Sequence, residues 1–208
     1  MASFEGLDAK KWSEIEPHFQ EFLNREIESA EDLENWLLEL GRFSAYVGET
    51  GSMLYVDMTC DTENEGIKQA YLDFVENVEP ELAKIGDLLN RKLAESPYAD
   101  QLNSEEYKVL LRDTRMDLAL FREENIPLGT ELTKLGQRYN EICGAMTVEF
   151  DGEERTMQQM GKYLQVNERE IRENAYRTVG VRRFQDSEEI DEIYEKMIGL
   201  RQKIAQNS

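Results

Sequence analysis

The sequence of 208 residues is poor in the side chains that most often bind metals or act as nucleophiles. It contains one histidine, His18, and two cysteines, Cys60 and Cys143. The cysteines show no metal-type or redox spacing, so we expect reduced thiols in the core. Glu14 lies one helical turn from His18, but two ligands do not complete a zinc sphere. We therefore expect no catalytic residue, no metal ligand and no cofactor in this chain.

Long apolar runs and basic residues are also scarce. No run approaches the roughly 18 apolar residues of a membrane-spanning helix, and the N-terminal residues show no secretory leader. The chain has 24 basic against 44 acidic residues, a net charge of −20. Such a field repels nucleic acid and anionic membranes. These features favour a cytoplasmic protein with neither nucleic acid nor membrane as a partner.

Several catalytic motifs are missing as well. The sequence lacks G-x-S-x-G, the P-loop, G-x-G-x-x-G and H-E-x-x-H, which places two zinc-binding histidines and a general base on one helix. The Glu-x-x-His pairs of di-iron bundles are absent too, so the many carboxylates are interpreted as a solvated face.

Two groups of side chains have a structural interpretation. A basic cluster is interpreted as offsetting the charge of neighbouring acidic residues in the same helix: Arg177, Arg182 and Arg183. Four tyrosines at helical spacing could line a peptide channel, although core positions are more typical: Tyr46, Tyr55, Tyr71 and Tyr139.

Only four prolines and 40% hydrophobic residues favour packed helices. Apolar residues at steps of three and four predict a first helix: Trp12, Ile15, Phe19, Phe22 and Leu23. A capping box at Ser29 and Asp32 predicts the start of a second helix, which Gly48 and Gly51 are expected to end. The segment from Met53 to Cys60 fits either a strand or a short helix.

A third apolar stripe runs from Ile67 to Leu93, with Asp61 or Thr62 as its expected N-cap. Pro80 lies inside this stripe, so the pattern allows one kinked helix of roughly 50 Å or a break at Glu79–Pro80. Ser104 is expected to open the next helix, and Asn125–Ile126–Pro127 to close it. Another helix is predicted from Leu128 to Cys143.

Apolar residues then recur at every second position instead of at steps of three and four, which predicts a hairpin near residues 146–156. Met146, Val148 and Phe150 alternate with polar residues, and Asp151–Gly152 suits a type I′ turn. Thr156 and Asn167 are expected to cap two further helices, and Ser187 to open the last. The stripe of that last helix is Ile190, Ile193, Tyr194, Met197, Ile198 and Ile204.

The predicted fold class is therefore all-α, a multi-helix assembly of antiparallel amphipathic helices with one short β-hairpin. Proline and small polar residues gather at Ser96–Ser104 and mark a mild seam. We expect an N-terminal helical hairpin layer over residues 1–96 and a second helical layer, with the β-hairpin, over residues 97–208.

Several segments, in order, resemble the N-terminal helical region of bacterial zinc metallopeptidases of the oligoendopeptidase F and thimet oligopeptidase family. They are Phe4–Phe19, Ser29–Leu40, Ser52–Pro97 with YVDMTCDTENE at Tyr55–Glu65, FREENIPL at Phe121–Leu128, the hairpin MTVEFDGEERT, and Asn167–Thr178. None of them is a catalytic signature, so the resemblance rests on extent and order.

The resemblance implies a helical wall of a channel in which short peptides are cut. Zinc, held by two histidines and a glutamate, would belong to a C-terminal catalytic domain that this chain lacks. The chain would then be an inactive N-terminal portion of a longer enzyme, with that domain and short peptides as its partners. The alternative is a free-standing helical protein-interaction module without enzymatic activity. If the chain is such a portion, the stripe on its last helix would be left partly uncovered by the absent helices, which would favour self-association.

Overall fold

Helices make up most of the structure, a computed structural model that describes residues 6–61 and 64–208. The fold is all-α with one short antiparallel hairpin, as predicted from the sequence. The elements are α1 (Trp12–Asn24), α2 (Ala30–Cys60), α3 (Glu65–Asn77), α4 (Glu79–Glu95), α5 (Ser104–Leu120), α6 (Asn125–Gly144), β1 (Thr147–Phe150), β2 (Glu153–Thr156), α7 (Met157–Met160), α8 (Arg169–Gln185) and α9 (Ser187–Asn207).

The chain divides into two units. Unit 1 comprises Met1–Glu131 and Ile204–Ser208, and unit 2 comprises Leu132–Lys203. Helices α6 and α9 therefore contribute residues to both units. These bounds differ from the expected layers 1–96 and 97–208, and that division stays a prediction. Within the described ranges, no helix combines the length and the apolar character needed to cross a membrane.

Unit 1 contains one large core, built mainly by α1 to α4. Trp36 and Phe43 of α2 are almost fully buried in it, beside Ile15 and Phe19 of α1. The Phe19 and Phe43 rings lie 4.8 Å apart in an edge-on arrangement, which aromatic pairs favour. The predicted stripe of α1 is thus confirmed as its core-facing side.

Helix α2 continues past the glycines that were expected to end it. It runs to Cys60, so the ambiguous segment from Met53 onward is helical and the predicted end was wrong. A side chain at Gly51 would place its Cβ 2.8 Å from Cε1 of the buried Phe74 ring. Gly51 therefore allows close contact between α2 and α3, a reason for glycine that sequence alone does not distinguish from helix termination. The predicted start is confirmed, because the Ser29 side chain accepts a hydrogen bond from the Asp32 backbone N–H.

The long stripe between residues 67 and 93 forms two helices, which confirms the alternative break at Pro80. Val78 ends α3 and precedes α4, and proline occupies the first turn of α4. The expected cap was wrong: the Asn64 side chain accepts from the backbone N–H groups of Gly66 and Ile67, while the Asp61 N–H closes α2. Thr62, the other expected cap, lies outside the described residues.

Three further helix ends differ from expectation. Asn103, rather than Ser104, caps α5 through its side chain. Asn125–Ile126–Pro127 begins α6 instead of closing α5, since proline is tolerated in a first turn where its missing N–H has no helical partner. Helix α8 starts after Glu168 with no side-chain cap, not after a capping Asn167.

Unit 2 contains the predicted hairpin. Strands β1 and β2 pair antiparallel with Phe150 opposite Glu153, and φ is +57° at Asp151 and +75° at Gly152, as a type I′ turn requires. Thr156 and Gln159 form a complete capping box at α7. The core of this unit consists of two small clusters, one around Val148, Phe150, Met160 and Ala175 and one around Ile142, Met146 and Ile193.

Candidate functional site

The structure does not bring together the residues that were considered as metal ligands. The His18 ring packs against the Phe43 ring, 5.2 Å between centroids. The Glu14 carboxylate instead accepts from the Asp8 backbone N–H at 2.9 Å and from the Lys11 ammonium at 3.2 Å. In the described part of the chain, no three His, Cys, Asp or Glu side chains are grouped so as to hold a metal ion.

The four tyrosines fall into two classes. The Tyr46 hydroxyl donates to the Leu7 carbonyl at 2.6 Å, and Tyr71 is buried, so both contribute to the core of unit 1. Burial, then the nearby Glu79 carboxylate, raises the pKa of Tyr71. Tyr55 and Tyr139 are each 45% exposed. A hydrogen bond with the Cys143 thiol raises the pKa of Tyr139.

A cleft in unit 1 separates α2 from α4, with Phe19 of α1 also lining it. We call this the α2–α4 cleft; its volume is about 310 Å³. Gly48 on one wall and Gly86 on the other leave open space where side chains would stand. The lining is mostly apolar, so the cleft suits an aliphatic or aromatic side chain rather than a charged group. Its lining residues are Phe19, Leu40, Ser44, Val47, Gly48, Leu82, Ile85, Gly86, Leu89 and Asn90.

Lys92 of α4 binds the end of α1, and we call these contacts the Lys92 clamp. Its ammonium donates to the carbonyls of Phe22 at 3.1 Å, Leu23 at 2.8 Å and Arg25. The Trp36 indole N–H donates to the same Phe22 carbonyl at 3.0 Å. Helix α1 has no basic residue in its last turn, so Lys92 supplies the cation that its carbonyls favour. Burial, and to a lesser extent the Arg25 guanidinium, lowers the pKa of Lys92, while three carbonyl acceptors favour its charged form.

A second concave surface lies in unit 2 between β1 and α8. We call it the β1 groove; its volume is about 480 Å³. Its lining residues are Thr147, Val148, Glu149, Arg177, Thr178, Val181, Arg182 and Gln185. Two of the three arginines of the predicted cluster line it. Each also has an acidic partner one turn away, Arg177 with Glu173 and Arg182 with Asp186, as expected from the sequence.

One edge of β1 is left without a strand partner. Because Phe150 and Glu153 flank a two-residue turn, Phe150 and Val148 exchange backbone hydrogen bonds with β2. Thr147 and Glu149 therefore direct their backbone N–H and C=O groups away from β2. Across residues 6–61 and 64–208, those groups have no backbone hydrogen bond to any other segment.

Sequence reasoning missed the cleft, the Lys92 clamp and the β1 groove, because each combines residues distant along the chain. The arginine cluster was noted, but nothing in the local sequence associates it with β1. The hairpin pattern was the one usable signal, since a two-stranded ribbon always has an unpaired edge.

Comparison with known protein families gives a match over residues 7–121 to the peptidase M3 N-terminal domain. This chain belongs to that family. The match covers α1 to α5, and so it contains the α2–α4 cleft and the Lys92 clamp.

Two solved structures share the fold of this M3 chain over nearly its whole length. A crystal structure described as oligoendopeptidase F of Bacillus anthracis str. Ames superposes with a TM-score of 0.88 at 23% identity, covering 97% of this chain. A structure of PZ peptidase A with an inhibitor gives 0.87 at 24% identity, covering 98%. The M3 chain spans 37% of the length of each. A search of curated protein sequences gives no match.

Proposed function

We propose that this chain is the N-terminal, non-catalytic wall of the substrate channel in a zinc-dependent oligoendopeptidase that cleaves short peptides. The observation that carries the proposal is the match of residues 7–121 to the peptidase M3 N-terminal domain. The shared fold with two peptidase structures, each extending well beyond the matched region, supports it. A cytoplasmic location belongs to the same proposal, since Cys60 and Cys143 are free thiols.

Zinc would be held outside this chain. The described residues do not fit a zinc site, because no three potential ligands converge there. His18, the one histidine, is packed on Phe43 within α1 and α2. The polypeptide that follows in a longer M3 enzyme would therefore supply the ligands and the group that activates water.

This chain would shape the wall of the substrate channel. The α2–α4 cleft offers an apolar recess of side-chain size, and the Lys92 clamp fixes the end of the helix that contributes Phe19 to it. The large core of unit 1 keeps these helices in place. A rigid wall of this kind restricts a channel to short, unfolded peptides, because a folded protein does not fit past it.

The test compares the 208-residue chain with the product of the longer reading frame. Internally quenched peptides of about 8 and about 30 residues serve as substrates, with and without a zinc chelator. We expect the longer product to cleave the short peptide in a chelator-sensitive way, and the 208-residue chain to cleave neither. Elemental analysis of the 208-residue chain should find no stoichiometric zinc.

A His18→Asn variant of the longer product is the matched control, and its activity should be unchanged because His18 is not a ligand. About one tightly held zinc per 208-residue chain would contradict the proposal. A stop codon directly after Ser208, with no separate catalytic subunit, would favour the alternative of a helical interaction module.

A further inference from the structure

We propose that the β1 groove binds an extended peptide, which pairs with the free edge of β1 and places a carboxylate side chain at Arg177. The inference rests on the proposed function only for the class of ligand, a short peptide. All residues that line the site belong to unit 2.

The free edge supplies the main-chain contacts. Thr147 and Glu149 together present two N–H and two C=O groups that no described segment engages. Four residues of strand span about 13 Å, so the edge matches a peptide of four or five residues. An added strand satisfies these groups in the way that peptide-binding domains extend a sheet.

The groove walls supply side-chain selectivity. Successive residues of an extended peptide point to opposite faces. Side chains on the face toward α8 meet Val181, which is 64% exposed, and the Arg177 guanidinium, whose side chain is 73% exposed. Arg177 can exchange its partner at little cost, because its 2.9 Å contact with Glu173 is an exposed i,i+4 pair.

Charge favours an acidic residue on that face and disfavours it on the other. The Glu149 side chain alternates with Val148 and Phe150, so it lies on the face turned away from α8. Unit 2 carries 14 acidic and 12 basic residues, against 30 and 12 in unit 1, so its own charge repels an anionic peptide less than that of unit 1 does. The expected ligand has an apolar and an acidic residue two positions apart.

The experiment uses the 208-residue chain and two fluorescein-labelled pentapeptides of identical composition, Thr-Val-Lys-Glu-Thr and Thr-Val-Glu-Lys-Thr. Only the first presents valine and glutamate on one face. Fluorescence anisotropy should show the first binding at least about tenfold tighter, the size of one charge-assisted hydrogen bond. Equal affinities, or no binding by either peptide, would overturn the proposal.

Two variants and two modified peptides sharpen the result. Arg177→Glu should weaken binding about tenfold, whereas Arg201→Glu, the same charge change on α9 away from the groove, should leave it within about twofold. Of two peptides N-methylated at valine or at lysine, one should lose binding and the other keep it, because alternate N–H groups face β1. Equal effects within either pair would reject strand addition at this edge.

Sedimentation analysis at the assay concentration should show monomer. A dimer that the peptide does not dissociate would show that a second copy occupies the edge. Failure of peptide binding would leave the channel-wall proposal standing, because that proposal is scored by hydrolysis with the longer product.

Discussion

The two units are stabilised in different ways. Unit 1 has a single large core and 30 acidic against 12 basic residues. Unit 2 is close to neutral, and its buried side chains form two small clusters. On its helix α8, Tyr176 and Phe184 are 72% and 79% exposed. Burial therefore dominates in unit 1, whereas unit 2 relies more on local devices such as the type I′ turn and the Thr156 capping box.

The two kinds of stabilisation leave different side chains at the surface of each unit. A large core tolerates a net charge of one sign, since burial offsets the self-repulsion. A unit with little core keeps apolar and cationic side chains at its surface, and exposed aromatic residues and arginine are the side chains most often found at interfaces. Unit 1 is thus the unit with the larger core, and Tyr176 and Phe184 of unit 2 are the more exposed aromatic side chains.

Removal of one buried phenylalanine ring from each unit compares the two cores directly and should give the largest change in stability. Phe43→Ala should lower the free energy of unfolding by about 3–5 kcal/mol, because Phe43 is fully buried among other aromatic rings. Phe150→Ala, in the smaller cluster of unit 2, should cost about 2 kcal/mol, since the site opens onto a cavity and can relax. Denaturant unfolding measures both, and hydrogen exchange should show unit 2 opening first. Equal losses would mean that the two cores are equally well packed.

A glycine pair tests the packing of α2 on α3. Gly51→Ala should destabilise the chain by about 1–2 kcal/mol, because the new methyl group would collide with the buried Phe74 ring. Gly48→Ala is the matched control three residues earlier on the same helix, where the added Cβ meets nothing within 4 Å. It should stabilise the helix by about 0.5–1 kcal/mol. Thermal melts that shift in the same direction for both variants would disprove the assigned role of Gly51.

The Lys92 clamp can be removed with little change in side-chain volume. Lys92→Met should cost about 1.5 kcal/mol, because three carbonyls at the end of α1 lose the ammonium donor and that of Phe22 keeps the Trp36 indole N–H. Lys84→Met removes a partly exposed contact with Glu81 on the same helix and should change stability by less than about 0.5 kcal/mol. Amide exchange in the last turn of α1 should accelerate only in the Lys92 variant. No difference between the two melting curves would show that water replaces the ammonium without loss.

The smallest effect concerns the hairpin. Gly152→Val should destabilise unit 2 by about 1 kcal/mol or more, because valine is strained at a φ of +75°. Asp151→Asn is the control, since asparagine tolerates the left-handed region. Melting followed by hydrogen exchange in β1 and β2 reports the change. A Gly152→Val variant with unchanged exchange there would mean that the turn contributes nothing to unit 2.

Much of the fold follows from local sequence patterns. The stripe of α1, the Ser29 cap, the break at Pro80 and the Asp151–Gly152 turn were all predicted, because each depends on residues within a few positions of one another. The continuation of α2 past Gly51 was not, because the reason for that glycine is the Phe74 ring of another helix. The Asn64 cap was missed because neighbouring Asp, Thr and Asn residues are all good caps.

The candidate sites were less accessible from sequence. The α2–α4 cleft combines Gly48 of α2 with Gly86 of α4, and no single helix pattern indicates that combination. The β1 groove pairs a predicted hairpin with a predicted arginine cluster, but the distance between them is set by the packing of β1 on α8. The Lys92 contacts were not predicted either. Lys92 lies within an ordinary charged helical segment, and its acceptors are distant along the chain.

The Lys92 clamp also has a consequence for the order in which the protein matures. The lysine lies 67 to 70 residues after the carbonyls that it binds. While the chain emerges from the ribosome, the carbonyls of Phe22, Leu23 and Arg25 have no Lys92 ammonium to bind until α4 has been synthesised. The native packing at the end of α1 is therefore completed only after a distant part of the chain has been made.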